Sequence, residues 1–165
     1  MSGPAPRRAA LAGAGAATLA ALLATLAAGC IDALDPDVGP PLREVCLDVD
    51  SDPATPVSYR RDIVDGIFAR ADIDCIHCHT AAGDAPIGLL VGGLDLGSYA
   101  ALRQGGAQAG ADIVIPGQPC ASALYRKVEA GPPFGARMPL DGPPFLSDAD
   151  VQVIADWIAE GGRDD

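Results

Sequence analysis

Residues 75–79 read Cys75-Ile76-His77-Cys78-His79, and this stretch decides how the rest of the 165-residue chain is read. Two thiols three residues apart lie on one side of a helix-like turn. The His79 imidazole follows directly. Upstream, Ser58 can cap a helix whose Tyr59, Ile63 and Ile67, with Val64 and Phe68, form an apolar stripe at i, i+4 spacing. Arg60, Arg61, Asp62 and Asp65 fall off that stripe. The helix should end near Arg70, leaving the cysteines in a loop. Downstream, Gly83, Pro86, Gly88, Gly92 and Gly93 predict an irregular stretch. Ser98 can cap a short helix through Arg103, and Ser122 one with Leu124, Tyr125 and Val128 as its apolar side. A Pro-rich loop, residues 132–139, carries Met138. The last helix is the clearest. Ser147-Asp148-Ala149-Asp150 resembles a capping box with Asp for Glu or Gln. Val151, Ile154, Ala155 and Ile158 make its apolar face with Trp157 beside them, and Gly161 and Gly162 stop it. The pattern predicts an all-α domain of short helices joined by long loops. Such a chain buries too little alone, so something structural should sit between the loops.

Cys-x-x-Cys-His is the haem-attachment pattern. Each thiol can add to one vinyl group of a single porphyrin, and the next His then sits under the iron. Cys-x-x-Cys also holds zinc or does redox work. The alternative is therefore an exported zinc-binding or interaction module using Cys75, Cys78, His77 and His79. Four ligands within five residues do not easily form a tetrahedron. Three features favour haem: the striped helix before the motif, the Met in the Arg137-Met138-Pro139 loop, and the amphipathic helix after it.

Composition narrows the classes. One domain is the default at this length, and a two-domain enzyme with a large cofactor-binding sheet does not fit. Lys+Arg 11 against Asp+Glu 22 gives a net charge of −11, which excludes nucleic acid as a partner. Apolar residues at 49% exclude wholesale disorder. The aromatic side chains are Trp 1, Tyr 3 and Phe 3, few for a core of this size, and this raises the question of what large flat body fills it.

Residues 1–29 read as an export signal. Arg7 and Arg8 precede an uncharged stretch, Ala9 to Leu26, and Leu26-Ala27-Ala28-Gly29-Cys30 ends it. That end resembles the lipobox of bacterial lipoproteins, with Ala27 where Leu is commoner. The resemblance implies cleavage before Cys30 and lipid on its sulfur, which would hold the protein on a membrane. Ile31 in place of Asp favours the outer membrane by the same resemblance, with the domain facing the periplasm. Cleavage would take the side-chain charge from −11 to −13 and leave Met138 as the one methionine. Residues 30–57, rich in Pro and Asp, read as a tether. Residues 58–162 read as the folded domain.

The stretches GIFARADIDCIHCHT (66–80), GLDLGSYAAL (93–102), VIPGQPCASALYRKV (114–128) and ARMPLDGPPFLSDADVQVIADWIAEGG (136–162) resemble class I cytochrome c domains, and most nearly the planctomycete-type domain of small exported bacterial proteins. The resemblance covers roughly residues 58–162. It implies a helical fold whose first and last helices cross, around one covalently bound haem c. It implies electron transfer rather than enzymatic turnover. Cys75 and Cys78 would form the thioethers, His79 would be the proximal ligand and Met138 the distal one. His77 would sit on the solvent side of the attachment loop. A Pro carbonyl often orients the proximal ring in class I domains, and Pro86 is the nearest candidate although the usual Gly-Pro pair reads Ala85-Pro86. Arg126, Lys127 and Arg137 are candidates to pair with haem propionates, or are solvated charges. Without haem, an apolar slot should open between His79 and Met138.

Cys46 and Cys120 remain. In an oxidising compartment a leftover pair suggests a disulfide. Two separate thiols or an intermolecular bridge are the alternatives. The excess carboxylates form either a plain solvated surface or a face that steers the domain to a basic redox partner.

Overall fold

A computed structural model describes residues 46–165. The signal at residues 1–29, the lipid site Cys30 and the first part of the tether lie outside the described residues. Six helices follow in order: α1 (Tyr59–Phe68), α2 (Cys75–His79), α3 (Ile87–Gly92), α4 (Tyr99–Gln104), α5 (Ala123–Val128) and α6 (Asp148–Ala159). Single 3-10 turns form at Gly110–Ile113 and Pro119–Ala121. Among the described residues there is no strand, so the all-α expectation holds. No described helix is long and apolar enough to cross a membrane.

Local chemistry explains where the long helices begin. Ser58 Oγ accepts from Arg61 N at 3.2 Å, and Asp62 accepts from Ser58 N at 2.8 Å. α1 is wound wider than an α-helix, with bonds reaching five residues back, as from Ile63 N to Ser58 O at 3.3 Å and from Ala69 N to Val64 O at 2.8 Å. Its stripe suits that wider turn, for Tyr59, Ile63, Ile67 and Phe68 are all buried. α6 starts on a full capping box. Asp150 N donates to Ser147 Oγ, and Ser147 N donates back to Asp150 Oδ2, both at 3.2 Å. Gly161 and Gly162, at φ +109° and +57°, end it.

α1 packs on α6. Trp157 stacks on Tyr59 with ring centroids 5.3 Å apart, and Tyr99 of α4 meets Tyr59 edge-on at 5.2 Å. Both polar ends are bonded: Trp157 Nε1 donates to Arg163 O at 2.9 Å, and Tyr99 OH to Gly162 O at 2.7 Å. Four of the chain's few aromatics, these three with Phe68, thus gather in one core with Ile63, Leu102, Ile154 and Ile158.

Three local expectations are corrected. The glycine-rich stretch after the motif is not irregular throughout, since Ile87–Gly92 forms α3 behind Pro86. The cysteines sit on a helical turn rather than in a loop. Ser122 precedes α5 but does not cap it. Its buried hydroxyl donates to Gln118 O at 2.9 Å and accepts from Ile115 N at 2.8 Å.

The folded unit also takes in residues 46–57, which their composition assigns to the tether. Cys46 and Cys120 are joined in a disulfide. Ser51 donates from its backbone N and its hydroxyl to the buried Asp156 carboxylate at 2.8 and 2.6 Å. Val57 N donates to Glu160 at 3.0 Å. The acidic strap is thereby fastened along α6.

Candidate functional site

Between α1 and α2 the chain turns sharply. Ile73 N and Asp74 N both donate to Arg70 O, at 3.0 and 2.7 Å, and Asp74 adopts φ +42°. α2 then presents Cys75 and Cys78, both unbridged and half-buried. Burial pushes the Cys75 thiol up to about 11, so it keeps its proton at neutral pH. Thr80 Oγ1 donates to Ile76 O at 2.8 Å and fastens the last turn. Gly83 lets the following loop cross tightly over this turn, because a Cβ there would lie 2.0 Å from His77 O.

His79 is held on two sides by the segment after α3. Its Nδ1 lies 3.1 Å from Leu94 O, and Leu96 N donates to His79 O at 2.7 Å. A carbonyl only accepts, so the ring carries its proton on Nδ1 and leaves the Nε2 lone pair available to a metal. Here the Pro86 expectation is overturned. The Pro86 carbonyl accepts from Leu90 N at 2.9 Å, inside α3, and Leu94 O takes the ring instead. Pro86 starts the helix that carries the chain round to Leu94.

Residues 75–139 match the family described as Planctomycete cytochrome C. This segment is a planctomycete-type cytochrome c domain. The matched span opens on Cys75 and ends one residue past Met138. No curated protein and no solved structure matches the chain.

A cytochrome c domain implies covalently bound haem c, and the residues present fit it. Two free thiols share one helical turn while the other described cysteines are bridged, and the next residue offers a ring nitrogen with its opposite nitrogen already bonded. The zinc arrangement has no such support. Among the described residues no group of three or more His, Cys, Asp or Glu side chains converges to hold a metal ion. His77 is half-buried on the same short helix as His79.

Met138 of the cytochrome domain packs against the same core cluster as Cys75 and Ile76. Its loop is fastened to the end of α5. Met138 N donates to Lys127 O at 2.8 Å, Arg137 Nε to Val128 O at 2.7 Å, and Lys127 Nζ to Phe134 O at 2.8 Å and to Ala136 O. Lys127 and Arg137 also lie over the Phe134 and Phe145 rings, 4.9 and 4.4 Å from the centroids. Both cations are thus committed to the loop, where the sequence offered them to propionates. The structure gives Arg126 no such role.

Two hollows among the described residues lie away from the slot expected between His79 and Met138. The larger, about 310 Å³, is lined by Pro56, Val57, Ile67 and Val153, and neither hollow includes His79 or Met138. Instead apolar side chains next to the site stand exposed. Leu90 and Val91 of α3 are each 77% exposed and Leu140 is 65% exposed. Three features of the site escaped sequence reasoning: the Leu94 carbonyl, the contact between Gly88 and the His79 ring, and the cationic fastening of the Met138 loop. The first has no side-chain signature at all.

Proposed function

We propose that the protein is an electron carrier: a mono-haem c-type cytochrome with His79 and Met138 as axial ligands. The observation that carries this is the His79 ring, bonded through Nδ1 to Leu94 O and standing beside two free thiols on one helical turn. Haem, when bound, supplies one-electron exchange at its iron. Cys75 and Cys78 hold it by two thioethers, and one attachment motif means one haem. His79 Nε2 offers one axial ligand. The Met138 thioether offers the other, which favours the ferrous state and raises the potential relative to a second His. With both positions filled no open site remains for peroxide or gas chemistry. Lipid on Cys30 keeps the domain on the periplasmic face of a membrane, the outer one favoured. Its acidic surface steers it to a basic redox partner.

Expression in a haem-c-competent host tests this. The denatured polypeptide should keep one haem by mass, and Cys75→Ser or Cys78→Ser should lose its attachment. Met138→Ala should change the reduced and oxidised spectra, and Cys30→Ser should release the protein from the membrane fraction. Purified protein without covalent haem sinks the proposal.

A further inference from the structure

The geometry points to Gly88 as the residue that sets the plane of the His79 ring, an inference that rests on the haem reading above. A Cβ built on Gly88 would lie 2.6 Å from both Cε1 and Nε2 of His79 and 2.8 Å from Cδ2. A point beyond the tip of the ring would be clearly nearer to Nε2 than to the two carbons. Near-equal distances put it over the ring face at the Nε2 end. Gly88 therefore covers one face of the imidazole and does not itself lie on the in-plane line along which Nε2 would bind a metal. All three distances are below the 3.0 Å that real Cβ atoms respect, so any side chain here must move the ring or lift α3.

The ring has two fixed references. Leu94 O holds its Nδ1 edge at 3.1 Å, and Gly88 bounds its face. Both come from one stretch, α3 and the turn behind it. Gly93 closes α3 in the left-handed region, at φ +69°, and returns the chain so that Leu94 faces the ring. Together these contacts fix both the position and the rotation of the imidazole before any haem arrives. Gly88 lies inside α3 and outside the left-handed region, so it needs no special backbone angle. Its requirement is the close approach alone.

Gly92 makes the test clean. It lies on the same helix, its φ is likewise ordinary, and a Cβ there would meet nothing within 4 Å. Alanine is the better helix former at either position. A purely structural role predicts that Gly88→Ala and Gly92→Ala both leave the helix as stable or make it more so. Ring positioning predicts that they part. In haem-loaded full-length protein, Gly92→Ala should match wild type in its low-spin ferric resonance spectrum and in the His79 Nδ1–H signal of the ferrous protein by NMR. Gly88→Ala should lose that signal, and its His79–iron affinity should fall about tenfold, the scale of losing an outer-shell partner of a metal ligand, read as a smaller low-spin fraction. Gly88→Ala protein with both signatures of wild type overturns the inference and leaves the haem reading standing. Wild type without covalent haem overturns both. If Gly88→Ala protein carries no haem, circular dichroism decides: a folded helical chain supports ring displacement, and an unfolded one overturns it.

Discussion

Arg70 stands five residues before Cys75 and reaches across to the start of α6. Its Nη1 and Nη2 meet Asp150 Oδ1 and Oδ2 at 2.7 and 2.8 Å, and its Nε meets Asp72 at 2.6 Å. Asp150 is also the acid of the capping box, accepting from Ser147 N and Oγ. The Arg70 guanidinium, with these bonds helping, holds the Asp150 carboxyl down from 3.8 to about 2. By linkage that gap is worth about 2 kcal/mol at most. The Arg70 side chain is 34% exposed and that of Asp150 17%, so solvent screening trims it to about 1–2 kcal/mol. A depressed carboxyl stabilises the fold fully above its unfolded value, and the gain is lost as pH falls through about 2. Asp150→Asn keeps an oxygen for the cap and removes the charge. Thermal unfolding of wild type and variant between pH 2 and 6 should show wild type ahead by about 3–8 °C at pH 5–6, for a domain of this size. The lead should shrink steadily below pH 4 and vanish near pH 2. A lead that is the same at pH 2 and pH 6 would refute the ion-pair account and leave only the cap.

Three further outcomes follow from single contacts. Tyr59 OH is buried without a hydrogen-bond partner, and burial raises its pKa to about 12. Its neutral form therefore stabilises the fold below pH 10, and this is lost as pH rises through about 12; Tyr59→Phe should unfold no more easily at pH 7, within about 1 kcal/mol, and should lose that alkaline sensitivity in denaturant titrations. Replacing both Cys46 and Cys120 by Ser should cost about 4 kcal/mol by chain entropy, read as a lower urea midpoint with the helical spectrum intact. Lys127→Met should cost about 2 kcal/mol of charge-assisted bonding and speed proteolysis within residues 129–139 without touching the α1–α6 contact, seen as protease-resistant fragments ending in that loop.

What could be read from the chain depended on how local each cause was. Ser58, Ser98 and Ser147 cap as their positions predict, because a hydroxyl and an amide three residues on are enough. Ser122 occupies the same kind of position and behaves otherwise. The turn at Pro119–Ala121 brings Gln118 O within its reach, and no local pattern announces that. That Cys75, Cys78 and His79 stand together on one short turn was legible because their spacing is local. The orientation of the ring was not. It depends on a backbone carbonyl fifteen residues away and on an absent side chain at Gly88, and neither differs in sequence from an ordinary loop. Pro86 was the natural guess because proline has a recognisable role, yet its carbonyl accepts from Leu90 N and the His79 ring bonds Leu94 O instead.

The two sides of the site are held by different physics. His79 is placed by main chain and close contact: Leu94 O, Leu96 N and Gly88, with no charge involved. Met138 is placed by cations bonded to carbonyls, Lys127 to Phe134 and Ala136, and Arg137 to Val128. Among the described residues neither cation pairs with a carboxylate. A short charge–dipole contact falls off faster with distance than an ion pair, so dissolved salt screens it little while a small loop displacement weakens it sharply. The His79 side should therefore be fixed by shape, and the Met138 side by a few bonds that break together. If Met138 is the distal ligand, its bond is the one a partner or a denaturant would release first, ahead of anything at His79. Guanidinium titration of the haem-loaded protein should then show loss of the Met138 ligand signature before the loss of helix. Simultaneous loss of both would mean that the loop shares the stability of the α1–α6 core and that its cationic fastening adds nothing separate.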